Sequence, residues 1–402
     1  MTDTAFSAWQ LPILSPAEFD ALGLEVATDA APDTGARARL HTSQIVYLLR
    51  YSLLAPSSHN SVPQLYRIDA AAGAVDVLLD RERILPASDP TGREALIGIG
   101  CAIENLDVAA RAYGLALEWA AEPGLQRLPL DAAASPRHVR LGRARLHRAA
   151  ADAAPLDDGE RRTQLRALVE RRTVRSEFDP TQPLPDSLQA ALESAAARSP
   201  GVALRLFTSS SERFNWGKLD ELATKHKLEQ AAFRTELGRW LLPNDDRVAP
   251  RGMRGREFGL DAPRALELSA QLRGEQPLPT DQLAMLARGG RVGMQSAAAV
   301  GALSADDSVP LALEVGRVFQ RCALIAWRRG FAHAVHTAVC EVPHVRSMCR
   351  ATMLPGTRGP ALVFRLGVPL ASADWDRPHA SRPPLADLLL PGLLQPSAVD
   401  DR

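Results

Sequence analysis

Two short stretches of this chain hold residue types that could do chemistry. The first, Arg171 to Phe178, reads RRTVRSEF and sets three guanidinium groups and a hydroxyl within five residues. Arginine presents a rigid fork of donors that matches phosphate and carboxylate oxygens, and each charge-assisted bond of this kind is worth about 1.5–3 kcal/mol. Two readings stand side by side: a clamp for a dianion, or a solvated basic helix end favoured by the helix dipole. The second stretch, APSSHNSVPQ over residues 55–64, places hydroxyls, an imidazole and an amide between prolines, just before a β-like run. It reads either as an ordinary turn or as the hydrogen-bonding half of a ligand site.

Other candidates are weaker. The segment HAVHTAVCEVPHVRSMC holds His333, His336, Cys340, His344 and Cys349, but Pro343 interrupts it and the spacings match no common zinc site, so no metal is expected. No nucleophile-and-base motif stands out. GIGCAI falls inside a helical pattern and reads as packing glycines rather than a dinucleotide fingerprint. Lys plus Arg and Asp plus Glu are both 47, so the molecule has no global field to draw nucleic acid or an anionic membrane, and any anion site must be local. No basic leader or bilayer-length apolar run is evident, and the four cysteines are too scattered for a disulfide framework. The expectation is a cytoplasmic protein.

The elements that must position these residues are written twice. Asp89 to Gly114 reads as a helix with an acidic and Thr91–Glu94 start signal and a glycine stop. Residues from Asp307 or Ser308 to Gly330 repeat the design in a more apolar form. Superposed, the two helices match Gly100 with Gly316 and Gly114 with Gly330. Each is followed by a β-like run, HVRLG ending at Gly142 and VFRLG ending at Gly367, and each is preceded by a helix that breaks at a proline and enters a strand. This predicts an internal duplication of an α+β unit: an N-terminal arm over 1–40, a first half over 41–150, a seam near 147–160 and a second half over 160–402. A Pro-, Gly- and Arg-dense insertion at about 240–285 belongs to the second half alone. It reads as a lid or as a surface loop, with Arg251, Arg254 and Arg256 able to meet an anion.

The halves differ in what they carry. The second keeps the cations, and the first keeps the polar loop where the second has only SPG. If the halves pack as pseudo-symmetric partners, one of two possible interface sites is complete.

These residues resemble the nitroreductase family of flavin proteins, with its RRSxRxF pattern near the start and APSSxNxQPWxF after the first helices. The doubled chain, DDSVPLALEVGRVFQRCALIAWRRGFAHA, and the ending GPALVFRLGVP to SRPPLADLL resemble the Acg-like branch, in which two nitroreductase domains are fused in tandem. The similarity covers roughly residues 41–390. Where the family pattern has Gln, Pro and Trp, this chain has Val62, Pro63 and Gln64.

The resemblance implies a nitroreductase-like α+β fold whose two tandem copies mimic the family homodimer. It implies one FMN between them, with Arg171, Arg172, Thr173, Arg175 and Arg382 on the phosphate. Pro56, Ser57, Ser58 and Asn60 would approach the isoalloxazine and ribityl chain. His59, His336 and Glu341 are candidates for contact with the ring or substrate, against solvent-facing or structural roles. Trp327 and Phe319 read as core residues, and Cys101 and Cys322 as small buried hydrophobes. The implied activity is an FMN-dependent oxidoreductase passing electrons from NADH or NADPH to a small acceptor, a quinone or nitroaromatic, by a ping-pong cycle. The alternative is a non-catalytic protein that sequesters FMN under a lid. A fused chain supplies its own partner, so a monomer is expected, with further dimerisation open.

Overall fold

The computed structural model describes residues 11–23, 40–130, 135–150, 156–245, 249–375 and 379–391. The first unit runs α2 (Thr42–Ser52), β1 (Gln64–Asp69), β2 (Ala74–Asp80), α3 (Arg93–Ala112), β3 (Leu115–Ala121) and β4 (His138–Arg148), after a short α1 (Pro16–Ala21). The second follows α4 (Asp158–Glu170) and repeats that series as α5 (Asp186–Ala197), β5 (Ala203–Phe207), β8 (Ala299–Ser304), α10 (Val309–Trp327), β9 (Ala332–Val335) and β10 (Pro360–Gly367). Both four-stranded sheets are antiparallel, with orders β1-β2-β4-β3 and β5-β8-β10-β9. In each, the first two strands of the unit pair and the fourth lies between the second and third. The same order in both copies is the duplication expressed as topology. Gly114 and Gly330 stop the two long helices with φ of 67° and 77°, a left-handed conformation that glycine adopts without penalty.

The halves meet where α3 crosses α10. A Cβ on Gly100 would lie 2.8 Å from the Leu313 carbonyl carbon and 3.0 Å from Gly316 Cα; one on Gly316 would lie 2.8 Å from the Ile97 carbonyl carbon and 2.9 Å from Gly100 Cα. Leu313 precedes Gly316 by three residues, as Ile97 precedes Gly100, so the contact is isologous, as across the two-fold axis of a homodimer. The polar pairs obey the same symmetry. Arg321 grips Glu104 with two bonds of 2.9 Å, and the equivalent pair, Gln320 with Asn105, is joined at 2.6 Å. Burial alone would raise the Glu104 pKa, but Arg321, Arg317 and Arg111 hold it below the ordinary carboxylate range. One continuous apolar core includes both helices and residues of both sheets.

The sequence alignment of the last strands is corrected by the pairing. Ala116, two residues past Gly114, faces His147, whereas Ala332, two past Gly330, faces Gly367. His147 is therefore the equivalent of Gly367, and Gly142 lies five residues earlier, within β4. The start of α3 also differs from expectation. Its N-cap is Gly92, with φ of 70°, and Asp89 rather than Thr91 serves the helix, accepting from Ala95 N at 2.9 Å.

The tight β1–β2 turn at 70–73 has a 91-residue counterpart, 208–298, between β5 and β8. This segment is wider than 240–285. It holds α6 (Ser210–Glu229), α7 (Ala231–Trp240), a short parallel pair of β6 (Leu241–Leu242) and β7 (Met253–Arg254), α8 (Ala262–Leu272) and α9 (Thr280–Ser296). It grips the first half: Glu236 accepts from Ala87 N at 3.0 Å and Ser88 N at 2.8 Å, and Lys227 Nζ donates to Ser88 O at 2.8 Å. Two short helices, α11 (Ala338–Glu341) and α12 (Pro343–Thr352), enlarge the β9–β10 connection. The last described residues return to the first half, where Leu390 N donates to Tyr66 O at 2.8 Å. No helix among the described residues is long and apolar enough to cross a membrane.

Burial, and then Glu94, pushes the Asp89 carboxyl up to about 7. The unfolded carboxyl titrates near 3.9, so the folded chain holds the extra proton between about pH 4 and 7, and stability falls as pH rises through that window. Asp89→Asn keeps an acceptor for Ala95 N and removes the titration. The variant should match the parent at pH 4 and exceed it by about 1 kcal/mol or more at pH 8, read from urea midpoints. An unchanged difference between the two pH values would refute the assignment.

Candidate functional site

The arginine stretch is placed by strand pairing. Arg171 caps the C-terminus of α4, after which Thr173 bridges to His333 on β9 and Val174 N donates to His333 O at 2.9 Å. From β10, the buried Arg365 reaches the carbonyls of Arg175 at 2.8 Å and Ser176 at 2.9 Å while lying over the Phe178 ring. The segment is thus held from below by the second sheet.

The polar loop is placed by strain and by the chain end. His59, Asn60 and Val62 have φ of 49°, 56° and 50°, unusual for non-glycine residues and most costly for β-branched Val62. What over-determines this shape is a set of bonds from distant residues. Asn60 Nδ2 donates to Gly252 O at 3.1 Å and Ser381 O at 2.9 Å, and its Oδ1 accepts from Arg382 at 2.6 Å. Arg382 also donates to Leu53 O at 3.0 Å and Ala55 O at 3.2 Å. Ser57 Oγ accepts from Val62 N at 3.0 Å.

The two stretches face each other across one cleft with two compartments. The smaller, about 80 Å³, takes Pro56, Ser57 and Asn60 from the first half and Arg171, Arg172, Thr173, Arg175 and Arg382 from the second, joined by Arg256, Glu257, Asp374 and His379. Five arginines against two carboxylates leave it strongly cationic. Its size is a few times the ~30 Å³ of one water, suited to a tetrahedral anion. Burial lowers the pKa of Arg171 and of Arg382, and like charge adds to it, so an anion here relieves a desolvated cluster. Arg171 Nε is buried without a partner. Burial and then Arg172, Arg171 and Arg382 keep His379 neutral, its Nε2 3.1 Å from Arg172.

The larger compartment, about 330 Å³, shares Pro56, Ser57, Thr173 and Arg175 with the smaller and adds Ile97, Gly98, Cys101, Phe319, Val335 and Leu362 as apolar wall. A side chain at Gly98 would crowd Ser57, with a Cβ 3.3 Å from Ser57 Cβ. Ser58, His59 and His336 line this chamber, with Lys227, Phe233 and Met253 contributed by the 208–298 segment. Ser58 donates to Glu94. Burial first, then Lys227 and Arg175, push His59 down to about 3, leaving a neutral imidazole whose Nδ1 has no partner. His336 is tied at both nitrogens. Arg365 Nε can only donate to Nε2, at 3.2 Å, so the ring proton sits on Nδ1, 3.0 Å from Asp220 Oδ2.

Three expectations change. Glu341 is not among the residues lining either compartment, because its carboxylate pairs with Lys227. Asn60 lines only the smaller compartment, its amide committed to positioning the loop. Phe319 and Cys101 are buried as expected, yet both also form chamber wall. Of the insertion arginines, Arg256 reaches the cleft, whereas Arg254 is wholly buried, donating to Arg251 O at 3.2 Å and Ser381 Oγ at 3.1 Å. The zinc-like residues diverge: His333 packs on Phe319 and Arg171, and His344 stacks edge-on with His226. Among the described residues no group of three or more His, Cys, Asp or Glu could hold a metal. His379, Asp374, Arg365 and Lys227 carried no sequence signal, since each reaches the site from an element remote in the chain.

A duplicated α+β chain, its copies related by an isologous helix crossing and sharing one cationic cleft, defines a nitroreductase-like fold fused into a single polypeptide. No family model matches the chain. Over 251 residues it is 30% identical to the protein named "Putative NAD(P)H nitroreductase acg" of Mycobacterium tuberculosis strain H37Rv, covering 59% of this chain and 72% of that one. The chain belongs to this Acg-type nitroreductase family. Among solved structures it is similar to the FMN-dependent nitroreductase NfnB from Mycobacterium smegmatis in complex with NADPH, at 16% identity and a TM-score of 0.37, covering 56% of this chain and 96% of that one. It is also similar to the FMN- and NADPH-dependent nitroreductase NfnB from sphigopyxis sp. strain HMH, at 19% identity and a TM-score of 0.35, with the same coverage.

Proposed function

We propose that the chain is an NAD(P)H-dependent oxidoreductase that holds one FMN across the seam of its two halves and serves a small acceptor, a quinone or nitroaromatic, by a ping-pong cycle. One observation carries the reading: the arginines of the second copy and the strained polar loop of the first line two adjacent compartments that share Pro56, Ser57, Thr173 and Arg175. The residues present fit FMN. The smaller compartment offers a guanidinium cluster, including the unpartnered Arg171 Nε, for a phosphate dianion, and the larger offers apolar wall with polar edges for a flat ring.

When bound, FMN supplies the two-electron chemistry, taking a hydride from a reduced nicotinamide and passing electrons to the acceptor. The chain's own part is positional. Arg171, Arg172, Arg175 and Arg382 would bind the phosphate, with Arg256 added from the insertion. Thr173, Pro56, Ser57 and Ser58 would fix the ribityl and ring edge, and Asn60 holds the loop that carries them. Neutral His59 offers a hydrogen bond to ring or substrate without placing a charge there. His336, fixed by Arg365 and Asp220, shapes the chamber.

The 208–298 segment favours a second reading, sequestration of FMN under a lid, because it adds Lys227, Phe233 and Met253 to the chamber lining while Glu236 and Lys227 fasten it to the first half. A visible spectrum and an anaerobic titration decide. About one flavin per chain, bleached by NADH or NADPH, is the expected result. Bound flavin that no nicotinamide bleaches selects sequestration, and a colourless protein indifferent to added FMN overturns both.

A further inference from the structure

A third cavity, about 350 Å³, shares no lining residue with either compartment of the cleft. Its volume lies within the range of about 300–1,000 Å³ typical of small-ligand pockets. The Gly100–Gly316 crossing makes Arg93 the equivalent of Val309, Leu96 of Ala312 and Ile99 of Val315. The cavity is lined by Arg93 and Leu96 from one helix and by Val309, Ala312 and Val315 from the other, so it sits on the pseudo-two-fold axis between the N-terminal turns of α3 and α10. Its back wall is that of the cleft, seen from the other side: Leu96 and Ala361 face it, while their neighbours Ile97 and Leu362 face the chamber.

The lining divides by chemistry. The floor is apolar, with Leu96, Val309, Ala312, Val315 and Ala361 all buried. The rim carries Arg93, Arg127 and Arg346 with Asp306 and Asp307. Asp307 is bound by Arg346 at 2.9 and 3.0 Å, and Asp306 is paired with Arg358 at 2.7 Å, so neither carboxylate is free to repel an incoming anion. Arg93 gives Nη2 to Cys340 O at 2.8 Å, and its buried Nε has no partner. Arg127 is exposed, and its charge, after those of Arg346 and Arg93, helps hold the Asp307 carboxyl below its ordinary range. Both helix N-termini add positive potential.

We propose that this axial cavity is a second ligand site, for a small amphipathic monocarboxylate whose apolar body lies on the α3–α10 floor and whose head meets Arg93 and Arg127. The buried apolar floor separates it from the smaller compartment of the cleft, whose cluster of five arginines suits a dianion.

Isothermal titration of octanoate into the FMN-saturated full chain tests the site, with 1-octanol as the uncharged comparison. One octanoate per chain is expected, with 1-octanol at least about tenfold weaker and no release of FMN. Arg127→Glu reverses an exposed rim charge and should weaken octanoate about tenfold or more while leaving octanol unchanged; Ala312→Phe should fill the floor and remove both. Absence of octanoate binding at millimolar concentration overturns the proposal. So does equal binding of acid and alcohol, indifference to Arg127→Glu, or displacement of FMN by octanoate. If the chain holds no FMN, the same titration on the flavin-free protein keeps this site separate from the proposed function.

Discussion

Gly100→Ala and Gly316→Ala are each expected to destabilise the folded chain by more than about 3 kcal/mol, among the largest single-residue losses available here. Each new methyl would overlap the backbone of the opposing helix, Leu313 in one case and Ile97 in the other, and backbone cannot rotate away as a side chain can. Relief requires α3 and α10 to separate, which opens the apolar core shared by both halves. Because the two methyls enter the same crossing, the double variant should lose less than the sum of the single losses. Gly114→Ala is the control: its φ of 67° is strained for alanine, but nothing stands within 4 Å of the new Cβ, so a loss of about 1 kcal/mol is expected. Urea midpoints of the four variants measure this. Equal losses at Gly100 and Gly114 would mean that the crossing is not the close contact described.

The second large effect concerns the proposed cofactor. Arg172→Ala should weaken FMN binding by about tenfold to a hundredfold, the value of one charge-assisted phosphate contact, and leave riboflavin, which lacks the phosphate, unaffected. Arg382→Ala should weaken both ligands. Its guanidinium also holds Leu53 O, Ala55 O and the Asn60 amide, so its loss releases the strained loop that would face the ring. Flavin fluorescence titrations separate the two cases. If Arg172→Ala weakened riboflavin as much as FMN, the smaller compartment would not be a phosphate site.

Asn60, left-handed like His59 and Val62, is bonded to Gly252, Ser381 and Arg382 of the second copy, while Ser57 holds Val62 N from within the loop. The first half's share of the cleft is thus braced by the second.

What the sequence by itself determined is local in origin. Paired glycines and apolar periodicity marked α3 and α10 as copies, and the residue types of RRTVRSEF and APSSHNSVPQ marked two halves of one chemistry, because helix pattern, turn chemistry and charge are properties of neighbouring residues. Tertiary structure alone decided the rest. It decided the register of β4, since HVRLG and VFRLG look alike but pair five residues apart. It decided which cations reach the cleft, bringing Arg256 in and burying Arg254 two residues earlier. It also brought His379 and Lys227 to the site, set Arg365 behind it against His336 and the Arg175 carbonyl, and turned Glu341 to Lys227. The physical reason is common to all of these: the partners are far apart in the chain, and which atoms meet depends on packing two sheets and two crossing helices, which no short-range pattern encodes.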